Sequence, residues 1–317
     1  MKKVVLAQPI HSDAMALLQN HSEVVLSKEG DLKELTAHLH DADAIVLGTS
    51  IQFTAALMDA APQLKVISRT GVGVDKVDVQ AATDRKILVL NTPAANAVSV
   101  AEHTAALIFA LAKQLVYLDD QTRAGNYSAR RMYLPVDLQG KTLGLVGCGR
   151  IGMLVAQKCT KAFDMKVIGY DPYLSAMPDG IAGVDSLETL FKNAEFISLH
   201  IPLLESTKNL IGAQLLGVMK PSAFLINTAR GGVIDESALV EKLKGKAIAG
   251  AALDVYAEEP PAASSELLKM ENVILTPHTA ALTKECVARV AKDAVEGIID
   301  YFQGQTPKYV YNKEALE

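Results

Sequence analysis

Cysteine is scarce in this chain, and charge of one sign never accumulates. Three cysteines among 317 residues, Cys148, Cys159 and Cys286, are an odd number without CxxC spacing. They argue against a disulfide framework or a zinc site and fit a reducing compartment. The formal charge of −5 comes from 31 basic and 36 acidic residues with no long run of either, so nothing recommends nucleic acid or an anionic membrane as partner. No apolar run approaches the roughly 18 residues that span a bilayer. The opening Met1-Lys-Lys-Val-Val-Leu-Ala7 is too short for a signal peptide and reads as a first strand, so a cytoplasmic protein is the expectation. A P-loop, a GxSxG nucleophile elbow and an HxxxH metal pattern are missing as well, and no metal site is expected.

What is present is a glycine motif in its proper setting. In Leu143-Gly-Leu-Val-Gly-Cys-Gly-Arg-Ile-Gly152 a short apolar strand runs into Gly147-x-Gly149-x-x-Gly152 and then into a helical segment. Gly147 permits a tight turn, Gly149 lets the backbone approach a pyrophosphate, and Gly152 allows close helix–strand packing. Lys166-Val-Ile-Gly-Tyr-Asp171 is a second strand ending in an acid about 20 residues further on, the spacing of a carboxylate that binds the ribose 2′-OH of NAD. Asp171 would repel a 2′-phosphate, and Pro172, Tyr173 and Leu174 offer no cation to hold one. NAD is therefore expected over NADP, and Cys148 reads as a turn filler.

Strand-like runs at Val4 to Ala7, Ala44 to Leu47, Val66 to Ser68 and Leu88 to Leu90 alternate with amphipathic segments such as Leu32 to Leu39 and Thr54 to Ala61. This is the rhythm of a parallel sheet, and it resumes after the glycine motif at Val167, Phe196, Phe224, Ile248 and Val273. Roughly 140 residues precede the motif with strands of their own, so they form a separate lobe. Val98 to Arg123 reads as one helix between the lobes, and Ala124 to Gly140 as an exposed loop or an oligomer arm. A last helix is expected near Thr283 to Phe302, before a polar tail.

Three motifs close successive strands: Asn227-Thr-Ala-Arg230-Gly-Gly232, Leu253-Asp-Val-Tyr-Ala-Glu-Glu259-Pro260 and Leu275-Thr-Pro-His278-Thr-Ala280. Each sets a charged or titratable side chain at a strand's carboxyl end, where ligands bind in open α/β sheets. Arg offers a planar fork for a carboxylate, His exchanges a proton near neutrality, and a Glu beside it stabilises the imidazolium. These are the parts for reducing a 2-oxo acid. Arg230 would hold the carboxylate, His278 would donate the proton, and Glu259 would orient and charge its ring. Of the other histidines, His103 reads as an ordinary helix residue, and His200 as either a cofactor contact or packing.

With Gly71-Val-Gly-Val-Asp75 and Val100-Ala-Glu102 added to these pieces, the chain resembles the D-isomer-specific 2-hydroxyacid dehydrogenase family over nearly its whole length. The resemblance implies an α/β protein of two doubly wound parallel-sheet domains, a Rossmann NAD-binding domain (99–285) inserted into a flavodoxin-like substrate domain (1–98 and 286–317), with a cleft that closes on ligand and a homodimer formed through the NAD domains. It implies Arg230, Glu259 and His278 as the catalytic trio. Substrate contacts would come from Arg230 and the amides of Val72 and Gly73. Besides the three glycines, Arg230 and His278, cofactor contacts would come from Thr104, Arg150, Ile151, Asp171, His200, Pro202, Thr207, Thr228, Ala229, Asp254 and Ala280, with Asp254 at the nicotinamide carboxamide.

Substrate choice is where the pattern loosens. The phosphoglycerate dehydrogenase branch carries a phosphate-gripping Arg where this chain has Gly48, followed by Thr49 and Ser50. The regulatory extension of long-chain phosphoglycerate dehydrogenases is not expected after Glu317. Arg69 could serve as a second anion receptor, or be a surface salt-bridge partner. Tyr127 stands where many relatives have Trp, and Thr279-Ala-Ala-Leu282 departs from the commoner Ile-Ala-Gly or Ile-Gly-Gly. The expectation is an NAD-dependent reductase of a small, unphosphorylated 2-oxo acid such as glyoxylate or hydroxypyruvate. The alternatives are a phosphoglycerate or phosphite dehydrogenase, or an NAD(H)-sensing protein like the corepressors that share this fold.

Overall fold

The computed structural model describes residues 1–132 and 134–316 and divides the chain into two compact units. The first is Met1–Asn96 with Ala281–Glu317, and the second is Ala97–Ala280. These divisions fall a few residues before the expected 98/99 and 285/286. The helix Ala97–Lys113 packs along the helix Arg150–Phe163, so its first turn goes with the second unit. Ala281 instead packs on Ala95, Cys286 and Val290 of the first.

In the first unit β1 (Lys2–Leu6), β2 (Ser22–Leu26), β3 (Ala44–Leu47), β4 (Val66–Arg69) and β5 (Leu88–Leu90) form a parallel sheet in the order β2-β1-β3-β4-β5. That is the flavodoxin-like order. Side chains alternate between faces, so one strand feeds two cores. Val4, Leu6, Ala44 and Val46 meet Val295, Ile298 and Ile299 of the helix Lys284–Phe302, while Val5, Ile45 and Leu47 meet Leu35, Leu39 and Phe53. The last helix starts where Thr283 accepts the Cys286 N–H, and it is tied to the sheet by Ser68 Oγ donating to the Ala294 carbonyl at 2.8 Å.

The second unit holds β6 (Thr142–Val146), β7 (Lys166–Tyr170), β8 (Ala182–Gly183), β9 (Phe196–Leu199), β10 (Phe224–Asn227), β11 (Gly250–Leu253) and β12 (Val273–Leu275), all parallel, in the order β12-β11-β10-β9-β6-β7-β8. Strand order reverses between β6 and β9, the switch point at which doubly wound sheets bind ligands.

Two expectations need correction. β2 and β8 are additional strands. Both lie at sheet edges and are partly or fully exposed, so neither shows the buried apolar run by which the others are read. The helix expected over Val98 to Arg123 is two, Ala97–Lys113 and Leu115–Arg123, separated by Gln114 in the left-handed region at φ +50°. The second has no buried residue, so no packing demand continues the first. Between Ala124 and Gly140 a short 3-10 turn, Tyr127–Arg131, interrupts an otherwise irregular, mostly exposed segment. Residue 133 within it, and residue 317 of the tail, lie outside the described residues.

Candidate active site

The glycine motif turns from β6 into the helix Arg150–Phe163 as its spacing requires. Gly147 is at φ +92°, and a Cβ there would stand 2.6 Å from the His200 carbonyl oxygen; one on Gly152 would stand 2.4 Å from the Gly147 carbonyl oxygen. Neither position admits a side chain. A Cβ on Gly149 would instead meet nothing within 4 Å, and as the helix N-cap Gly149 offers no side-chain acceptor to the first-turn N–H groups. The donors and the open approach fit a pyrophosphate. At the end of β7, Asp171 accepts the Cys148 N–H at 3.0 Å and the Tyr173 N–H at 3.1 Å, which fixes an acceptor beside the turn where a ribose diol would lie. The residues present therefore fit a dinucleotide.

Other expected cofactor residues are placed by their own bonds. Thr104 and Thr228, both buried, share a hydroxyl–hydroxyl bond of 2.8 Å. Thr207 Oγ1 donates to the Pro202 carbonyl at 2.7 Å and accepts the Leu204 N–H at 2.8 Å, closing the turn after β9. His200 Nε2 lies 3.0 Å from Ser198 Oγ, and its ring edge faces Gly152. Burial pushes its pKa down to about 4, so the imidazole is neutral. Arg150 is exposed and Ile151 partly so, at the head of the helix.

The loops after β10, β11 and β12 carry the titratable set. After β10, Asn227 Oδ1 accepts the Ala229 N–H and its amide donates to the Arg230 carbonyl, while Arg230 Nη1 donates to the Ala229 carbonyl at 2.7 Å. Gly231 then lies against the next loop so closely that a Cβ would sit 1.9 Å from the Tyr256 carbonyl carbon. The segments bearing Arg230 and Glu259 are thus packed backbone to backbone. After β11, Glu259 Oε1 accepts the Tyr256 N–H at 3.1 Å and Oε2 lies 2.7 Å from His278 Nδ1. Because an ionised carboxylate only accepts, Nδ1 carries the hydrogen, and Nε2 is the ring nitrogen left for proton exchange. Both side chains are partly exposed.

His278 is held at φ +53°, a region a non-glycine residue occupies only when its surroundings impose it. Here Asp254 imposes it. Its backbone carbonyl accepts the His278 N–H at 2.8 Å. Its fully buried carboxylate accepts the Thr279 N–H at 2.8 Å, the Ala280 N–H at 2.9 Å and the Thr276 hydroxyl at 2.5 Å. Four bonds from one residue thus shape the turn. His103, read from the sequence as an ordinary helix residue, joins them: its Nε2 lies 3.1 Å from Thr276 Oγ1 and 3.6 Å from Asp254 Oδ1. Its partners are more than a hundred residues away, so no local pattern announces it.

In the first unit, Arg69 is buried rather than on the surface. Its guanidinium donates to the carbonyls of Leu47 and Gly73 at 3.1 and 3.2 Å, which shapes the turn containing Val72 and Gly73. The side chain of Gln8 fills the space over Gly48, its Oε1 lying 1.4 Å from where a Cβ would be. The two help line a cavity of 160 Å³ with Thr49, Thr70, Asn96 and Leu282. Among the described residues, no group of three or more His, Cys, Asp or Glu is placed to hold a metal, and no helix is long and apolar enough to cross a membrane.

A doubly wound sheet with this turn at its switch point defines a dinucleotide-binding protein. Residues 105–280 match the model described as D-isomer specific 2-hydroxyacid dehydrogenase, NAD binding domain. The chain is 40% identical over 315 residues to a D-3-phosphoglycerate dehydrogenase of Methanocaldococcus jannaschii, covering 98% of this chain and 60% of that one. A second D-3-phosphoglycerate dehydrogenase, from Synechocystis, is 40% identical over 319 residues, 100% of this chain and 57% of the relative. The chain therefore spans about 60% of the length of such curated relatives. Among solved structures, the TT0316 protein of Thermus thermophilus superimposes with a TM-score of 0.91 at 35% identity, covering 98% of this chain and 99% of that one. An NADPH-dependent glyoxylate/hydroxypyruvate reductase of Sinorhizobium meliloti gives 0.89 at 28%, covering 99% of each. The chain belongs to the D-isomer specific 2-hydroxyacid dehydrogenase family, and its second unit contains an NAD-binding domain.

Proposed function

We propose that the protein is an NAD-dependent dehydrogenase that interconverts a small 2-oxo acid and its D-2-hydroxy acid. The observation that carries this reading is the 2.7 Å bond from Glu259 to His278 Nδ1, which commits the other ring nitrogen to proton exchange while Arg230 stands on the loop packed against Glu259's own. Bound NADH supplies the hydride. Arg230 binds the substrate carboxylate and polarises the carbonyl. His278 Nε2 gives its proton to the developing alkoxide, and Glu259 balances the imidazolium beforehand. In oxidation His278 takes the proton back. Gly147, Gly149, Gly152, Arg150 and Ile151 bind the pyrophosphate and Asp171 the ribose. The roles of Val72, Gly73, His200, Pro202, Thr207, Thr228, Ala229, Asp254 and Ala280 as ligand contacts rest on the family resemblance.

For the substrate we favour an unphosphorylated acid of glyoxylate or hydroxypyruvate size. Gly48 brings no cation, and the cavity that Gln8 helps line is walled mostly by apolar side chains, with the neutral polar groups of Gln8, Thr49, Thr70 and Asn96 and with His11 as its one titratable member. The phosphoglycerate dehydrogenase relatives support 3-phosphoglycerate as the second reading. A panel of phosphorylated and plain 2-oxo acids, followed by loss of NADH absorbance, separates them. Preference for a phosphorylated acid overturns the first reading, and no turnover of any 2-oxo acid overturns both. We also place the protein in the cytoplasm as a homodimer. The exposed apolar side chains of Tyr127, Met132 and Leu134 are of the kind association covers.

A further inference from the structure

We propose that His103 is a positioning residue for the reaction, acting through Thr276 and Asp254 on the turn that holds His278; this rests on the functional reading above. The direction of the hydrogen bonds follows from counting protons. Thr276 Oγ1 has a single hydrogen, and the carboxylate of Asp254, 2.5 Å away, can only accept it. Toward His103 Nε2, at 3.1 Å, the hydroxyl oxygen is therefore the acceptor, and Nε2 carries the hydrogen. The chain runs from His103 Nε2–H to the Thr276 hydroxyl to Asp254 Oδ1, with every group donating one way.

Its far end is the carboxylate that grips the N–H groups of Thr279 and Ala280 while the same residue's carbonyl takes the N–H of His278. His103 is partly buried, and the Asp254 side chain is 1% exposed. Water therefore reaches this carboxylate poorly, and its orientation depends on protein donors. His278 in turn sits in a left-handed conformation that the surrounding bonds impose. A helix residue far away in sequence thus locks the rotation of the Thr276 hydroxyl and with it the carboxylate that shapes the catalytic turn.

Two measurements test this. In imidazole-tuned 1H–15N spectra of the cofactor-free protein, the His103 Nε2–H, assigned by its loss in His103→Gln, should be protected from exchange and lose that protection in Thr276→Val. A folded wild-type protein without a protected His103 resonance overturns the relay, whether or not the protein turns over NADH. In steady-state assays His103→Leu and Thr276→Val should each lower kcat about 10- to 100-fold with little change in KM for the oxo acid, the loss that a displaced acid–base group produces. The double variant should be no worse than the poorer single one. His103→Gln, whose amide can donate to the same hydroxyl, should recover most of kcat. Equal losses in the Gln and Leu variants, or additive losses in the double variant, overturn the proposal. Failure of the wild type to reduce any 2-oxo acid counts against the functional reading alone, since the spectra decide the relay independently.

Discussion

The two units are built alike and equipped differently. Each is a parallel sheet with helices on both faces and the family's switch-point topology, yet the loops at the carboxyl ends of their strands differ in kind. In the second unit those loops bear Arg230, Asp254, Glu259 and His278, and the last three are linked by short hydrogen bonds through the turn at His278. In the first they bear Gly48, Thr49, Thr70 and Gly71 around a small cavity, and the buried Arg69 donates to the backbone carbonyls of Leu47 and Gly73. The scaffold is common to both units; what distinguishes them is the set of side chains on the loops grafted on it.

That contrast can be broken first at its strongest point. His278→Asn should lower turnover by about 10²- to 10⁴-fold while NADH affinity, read by fluorescence titration, changes little; full activity in this variant would strip the second unit of its chemical role. Asp171→Ala should cut the preference for NAD over NADP by about 10- to 100-fold, the worth of a charge-assisted hydrogen bond, and unchanged selectivity in paired kinetics would remove the ribose contact.

A third test concerns stability under acid. His200 titrates near 4 in the folded protein against 6.5 as a free side chain, so the unfolded chain takes up the proton first. The stability this group contributes is whole above about pH 6.5 and drains away as pH falls toward 4. Between pH 7 and 5 the loss amounts to about 2 kcal/mol. Denaturant titrations at the two pH values should show it, and His200→Gln should remove that part of the pH dependence. The smallest expected effect lies in the first unit. Introducing Gly48→Arg together with Gln8→Ala, which clears the side chain now filling that space, should raise kcat/KM for a phosphorylated 2-oxo acid about 10-fold relative to a plain one. No relative gain would mean that the neutral lining of this cavity does not set substrate charge.

Much of this arrangement was legible before any coordinates. β3 and β5 span the strand runs Ala44 to Leu47 and Leu88 to Leu90 to the residue, because every position in them is buried and apolar and none blurs the ends. The glycine motif was legible for a related reason: a Cβ at Gly147 or Gly152 would collide with backbone, so the sequence must record the contact. The edge strands β2 and β8 escaped because exposure relaxes composition, whereas β5 and β12, also at sheet edges, keep apolar runs. The break at Gln114 escaped because a single left-handed residue leaves no trace in periodicity. Of the two readings open for Arg69, the surface one fails because the side chain is buried and donates to carbonyls, which belong to every residue and mark none.

The amino-acid sequence by itself determined the two parallel sheets, the dinucleotide turn and the identities of Arg230, Glu259 and His278, since each of these is written in neighbouring residues. Tertiary structure alone decided which nitrogen of His278 is bonded to Glu259, why its backbone is held left-handed, and that His103 belongs to the same network. Those depend on bonds between residues far apart along the chain, whose directions are set by the packing of strands and helices and not by any local order of side chains.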